Sequence, residues 1–137
     1  MLPVTSCLAI VLAGFVQALG IVVIRRRRAL AVKIGDGGDD GLARAIRAQG
    51  NLVEYGLVVT GLIALAELNG APTVWLVLLA GVLVASRICH AYALLVAEPD
   101  AARGPSRFRY RTAAMAMTFS ALTLAALTLL GAVVLAL

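Results

Sequence analysis

The chain has 137 residues, 62% of them hydrophobic and only 14% charged, with a formal net charge of +5. Soluble domains average roughly 45–50% apolar and 25% charged residues, so this composition excludes a water-facing globular surface. The positive charge flanks apolar runs rather than interleaving with aromatics, which argues against nucleic-acid binding.

The first apolar run, Pro3 to Ile24, is long enough to span a bilayer and stops at Arg25, Arg26, Arg27 and Arg28. A secretory signal carries its charges before the run, so a retained helix is expected. Glycines and aspartates from Gly35 to Gly41 form a flexible acidic loop whose aspartates are suited to capping helix 2, expected over 42–69.

The first three turns of that helix are unusually polar, carrying Arg44, Arg47, Gln49, Asn51 and Glu54 before an apolar stretch from Tyr55 to Ala66. Asn69, Gly70, Ala71 and Pro72 supply a C-terminal glycine and a helix-starting proline. Helix 3, about 72–96, is apolar except for Arg87, His90 and their neighbours. A second polar loop opens at Glu98 and ends in Arg107, Phe108, Arg109, Tyr110 and Arg111. Helix 4, about 112–137, contains no ionisable side chain. The expected fold is a single all-α integral membrane domain, a bundle of four transmembrane helices over 1–137.

Eleven of the twelve Lys and Arg fall within 25–47 and 97–111. The positive-inside rule places both stretches in the cytoplasm and both termini outside. Cys7 and Cys89 lie within apolar segments, where each acts as a small hydrophobe and no disulfide framework arises. His90 lacks a second ligand cluster, so no metal site is expected. Glu67 lies off the polar stripe and reads as an interface or helix-end residue.

If helices 2 and 3 form a hairpin about residues 70–71, Glu54 lies level with Arg87 and Asn51 level with His90, roughly 22 Å from the turn and in the inner-leaflet half. Arg44, Arg47, Asn51 and Glu54 recur at spacings of 3, 4 and 3, on one helical stripe. A buried arginine costs about 2.5–3.5 kcal/mol on the insertion scale, so these groups are expected to turn inward. A structural Glu54–Arg87 ion pair is the plainer alternative; a polar pocket accounts better for Arg47, Asn51 and His90 together.

The stretch Arg47-Ala48-Gln49-Gly50-Asn51-Leu52-Val53-Glu54-Tyr55 resembles the helix 2 signature RAxxNxxE(Y) of the membrane-associated proteins in eicosanoid and glutathione metabolism. The likeness extends to the basic end of helix 1, the Gly35-Asp36-Gly37-Gly38 loop, the turn Leu68 to Pro72, Arg87 with His90, and Arg107-Phe108-Arg109, and its loop details look like a bacterial branch of that family. The resemblance implies a homotrimer holding glutathione, or another low-molecular-weight thiol, between subunits near the cytoplasmic side, in a bacterial inner membrane.

It further implies that Arg47, Asn51 and Glu54 hold the thiol's backbone, with Arg87 and His90 lining the cleft. An arginine would polarise the thiol: Arg107, Arg109 and Arg111 compete for that role, with Arg28 of a neighbouring subunit as a second source. Lowering a thiol pKa from about 8.5 to 6.5 requires roughly 2.7 kcal/mol, within reach of one close arginine. Gly56 and Leu57 stand where a proline often follows the EY pair, and Leu94 replaces a tyrosine used by some eicosanoid members. Leukotriene or prostaglandin synthesis is therefore not expected.

The leading expectation is a transferase or peroxidase acting on lipophilic electrophiles or hydroperoxides from the bilayer. Its rivals are a non-catalytic scaffold binding an anionic thiol, lipid or protein partner, and a small proton-coupled exporter, to which the arginine-rich pocket is ill suited.

Overall fold

A computed structural model describes residues 1–98 and 108–136, and among them four helices are long and apolar enough to cross a membrane. They are α1 (Pro3–Leu30), α2 (Asp40–Leu68), α3 (Thr73–Tyr92, continuing as a π-helical turn over Ala93–Ala97) and α4 (Arg109–Ala136).

The first helix does not stop at the arginines. Arg25 to Arg28 form its last turns, where their charge complements the partial negative charge of a helix C-terminus. It closes in a Schellman motif: Ala31 takes the left-handed conformation (φ 54°), its amide donates to Arg28 O at 3.3 Å, and Val32 N donates to Arg27 O at 3.0 Å.

At the start of α2, Asp39 is the N-cap and accepts from Leu42 N at 2.6 Å. The helix ends in a second Schellman motif on Gly70 (φ 79°), with Ala71 N donating to Ala66 O at 3.0 Å, so the tight turn follows from the glycine's backbone freedom. Pro72 is the N-cap of α3 rather than its first residue.

The helices α2 and α3 form the antiparallel hairpin that the sequence implies. The broadest contacts are between α3 and α4 and between α1 and α2, α2 also packs on α3 and α4, and α1 and α3 meet only along a thin seam. The buried interior is Leu8, Leu12 and Leu19 of α1, Leu52, Val59 and Ile63 of α2, and Leu76, Leu79 and Leu83 of α3. From α4 come Ala114, Ala121 and Ala125, all fully buried. Lipid is as apolar as leucine, so close approach of small side chains and dispersion between them, rather than expulsion of water, hold such spans together.

Candidate functional site

About three quarters of the way along α3, Arg87 is 3% exposed and turned into the bundle. Its Nη1 donates to the backbone oxygen of Asn51 at 3.0 Å and also to Asn51 Oδ1, Nη2 donates to Thr118 Oγ1, and Nε donates to Ser86 Oγ at 3.2 Å. The ring of Tyr55 lies 5.7 Å from the guanidinium carbon and is itself edge-on to Phe119. Three helices thus converge on one guanidinium, whose hydrogen-bond partners among the described residues are neutral. Such a ring of oxygens and one aromatic face offsets desolvation without neutralising the charge.

The acceptors are themselves fixed. Ser86 Oγ donates to Leu83 O at 2.6 Å and Thr118 Oγ1 to Ala114 O at 2.7 Å, while Asn51 Nδ2 lies 3.8 Å from Met115 Sδ. Each hydroxyl therefore directs its lone pairs to Arg87.

Glu54 is not the partner of Arg87. Its carboxylate accepts from Arg47 Nη1 at 3.3 Å on the outer surface of α2, where the two side chains are 53% and 60% exposed. The reason is angular. At 100° per residue, seven residues return nearly to the same face, so Arg47 stays with Glu54, but the step of three from Asn51 to Glu54 turns about 60°. The polar stripe therefore splits, Asn51 facing the interior and Arg47 with Glu54 facing out beside Leu57, Gly61, Leu65 and Leu68. Arg87 reaches the level of Asn51 instead, less than one turn from the depth that equal spacing assigns.

His90 is 4% exposed and lies within electrostatic range of Arg87, Arg111 and Arg47. Of the sequence candidates the structure thus joins Asn51 to Arg87, with His90 buried three residues further along α3, while Arg47 and Glu54 stand together on the outer face. Arg111 is already engaged: Nη1 donates to Glu98 Oε2 at 3.3 Å and the group lies over the ring of Phe108. The Glu98 side chain is 8% exposed and its Oε1 is buried. Arg109 is exposed and donates to the Tyr110 hydroxyl at 2.9 Å. Arg28 is exposed on the last turn of α1, and Arg107 lies outside the described residues.

Thr118, Ser86 and Tyr55 complete the Arg87 environment and were not singled out by sequence. Thr118 shares the buried stripe 114–118–121–125, a spacing legible in the sequence, but α4 has several other Ser and Thr, and only the packing selects this one. Cys89 packs as expected of a small side chain within an apolar segment: its Sγ–H donates to Tyr110 O at 3.3 Å where α3 meets α4.

Fold and site define a four-helix membrane protein with a charged arginine buried among neutral oxygens and a second, exposed charge pair on its central helix. The family model for the MAPEG family matches residues 4–134, and the chain belongs to that family. It is 35% identical over 122 residues, covering 88% of this chain and 86% of the relative, to inner membrane protein YecN of Escherichia coli strain K12, and equally to the YecN of Escherichia coli O6:H1 strain CFT073. No solved structure matches the chain.

Proposed function

We propose that this protein is a glutathione-dependent membrane transferase or peroxidase, working as a homotrimer in a bacterial inner membrane on lipophilic electrophiles or hydroperoxides. The observation that carries the reading is the Arg47–Glu54 pair. Two charged groups stand exposed on a face of α2 that from Leu57 to Leu68 is apolar, within a helix long and apolar enough to span a membrane. Hydrocarbon does not solvate such groups, so a polar surface must cover them. A neighbouring subunit and a small zwitterionic ligand held between the two meet that demand.

Glutathione has the matching chemistry: two carboxylates, one ammonium and one thiol. Glu54 would take the ammonium, and Arg47 a carboxylate in a bidentate fork. Asn51, Arg87 and His90 would form the wall behind them, with the buried charge of Arg87 attracting the anion. Arg109 is the more available arginine at the start of α4, since Glu98 already holds Arg111. Arg109, or Arg28 of the neighbour, would hold the thiolate left when the proton goes to solvent; its sulfur then bonds to the electrophile as the leaving group departs with its electron pair, or attacks a hydroperoxide oxygen to release the alcohol, a second glutathione then completing the disulfide with loss of water. The cofactor supplies the nucleophile, and the protein supplies position and charge. MAPEG membership supports the glutathione link, and the name of the YecN relatives supports the inner membrane. The arginine-rich ends of the helices then face the cytoplasm and both termini face outward.

The deciding experiment is calorimetric titration of glutathione into purified protein in detergent, beside Glu54→Gln and Arg47→Ala at one ionic strength. Micromolar to low-millimolar binding by the wild type, weakened about tenfold in both variants, is the expected result. A folded wild type that binds no glutathione refutes it.

A further inference from the structure

Both α1 and α3 start at the end of the bundle that carries the 69–72 turn, so they run in the same direction, and α1 residues lie beside α3 residues about seventy further along. Their thin seam leaves a trough. Towards the turn end it is a cavity of ≈ 570 Å³ between Pro3–Val11 and Thr73–Val84; towards the arginine end it continues as one of ≈ 300 Å³ between Phe15–Leu19 and Ile88–Val96. The residues lining the second cavity are apolar save the hydroxyl of Tyr92, and Ala18 and Ala91 leave room between the walls.

About two turns beyond the last α1 residues lining the second cavity stands a cation. Arg25 follows Val4, Val11 and Ala18 at successive intervals of seven, so it continues the α1 stripe that lines the trough, and it is exposed. Its neighbours point elsewhere: Arg26 lies against Gly41 at the start of α2, and Arg27 Nη1 donates to Lys33 O at 3.2 Å. The carboxylate at the corresponding end of α3, Glu98, is buried and held by Arg111, so it does not offset Arg25.

The dimensions match one leaflet. From Arg25 to Phe15 is about 15 Å at 1.5 Å per residue, half of a hydrocarbon core of about 30 Å. We propose that this part of the α1–α3 trough is a resident binding site for a phospholipid with an anionic headgroup, one acyl chain lying between Phe15 and Val96 and the phosphate meeting Arg25. A guanidinium holds a phosphate oxygen pair in a fork, and the adjoining wall binds the chain by dispersion along its length. The turn-end cavity has no side-chain cation in its lining, so lipid there has no headgroup preference. The site involves neither Arg47, Glu54 nor Arg87 and stands apart from the thiol-binding reading.

The test is native mass spectrometry of the purified protein with dioleoyl phosphatidylglycerol or dioleoyl phosphatidylcholine, on wild type, Arg25→Gln, Ala18→Phe and Lys33→Gln, with helicity checked by circular dichroism. Expected are about fivefold tighter retention of phosphatidylglycerol by the wild type, the weight of one basic residue at an anionic surface, loss of that preference in Arg25→Gln, and reduced retention in Ala18→Phe. Lys33→Gln should keep the preference. Equal retention of the two lipids by the wild type overturns the proposal. So does an equal loss in Lys33→Gln, which would mean general attraction to a basic surface, or a change of oligomeric mass in Ala18→Phe, which would mean that a second copy fills the trough.

Discussion

Glu67, one residue short of the end of α2, caps the first turn of α1 through Thr5: Oε2 accepts from the Thr5 amide at 3.0 Å and from its hydroxyl at 2.7 Å, while Oε1 accepts from the Val4 amide at 2.9 Å. The first helix has no capping side chain of its own, since Leu2 stands at its N-cap. A carboxylate brought from another helix satisfies its orphan amides and complements its dipole. The same bonds fix the height of α1 against α2.

Glu67→Gln should therefore cost about 1–2 kcal/mol of unfolding free energy, within the range for loss of a helix cap. Hydrogen exchange at Val4 and Thr5 should accelerate selectively, which global destabilisation alone does not produce.

Around Arg87, the acceptors should matter unequally. Asn51→Leu removes a side-chain oxygen from a buried charge and should cost about 2–3 kcal/mol, more than Thr118→Val. Adding Arg87→Leu to Asn51→Leu should recover part of the loss, because no charge is then left to satisfy. Reversible denaturation in mixed micelles reads all three.

Glu54 and Arg87 are expected to behave independently, since Glu54 pairs with Arg47 on the outer face. Glu54→Gln should change unfolding free energy by no more than about 0.5–1 kcal/mol, as for an exposed ion pair, yet weaken glutathione binding about tenfold. A double-mutant cycle of Glu54→Gln with Arg87→Lys should show no coupling in stability.

Ala31 holds a left-handed backbone at the C-cap of α1, a conformation that disfavours any side chain. Ala31→Gly should stabilise the protein by about 0.5–1 kcal/mol, visible as a higher thermal midpoint.

Much of the architecture was legible because it depends on composition and local chemistry. Apolar length announces a span, Asp39 and Gly70 announce their caps, and a turn at residues 69–72 too short for anything but a hairpin makes α2 and α3 antiparallel. Helical rise alone sets Glu54 level with Arg87 and Asn51 level with His90, and Arg87 reaches Asn51, less than one turn away. The end of α1 was misjudged because charge ends a hydrophobic run without ending a helix: arginine is a good helix former, and the Schellman motif that stops α1 depends on Ala31 adopting a conformation that alanine rarely takes.

Partner choice was a different matter. Sequence spacing set the levels of Glu54 and Arg87, and opposite charge made them an attractive pair, but a rotation of about 60° between Asn51 and Glu54 decides which of the two enters the bundle. That choice belongs to the packing of α2 against three neighbours, as does the selection of Thr118 among the hydroxyls of α4. Glu67 is legible as an interface or helix-end residue and is both, but its particular partners, two backbone amides and a hydroxyl some sixty residues earlier in the chain, have no local signal. Length, apolarity and the RAxxNxxE stripe determined a four-span membrane protein with a polar level; only the tertiary structure decided which polar groups face inward, because one helix face is distinguished from the next by neighbours that no short stretch of sequence contains.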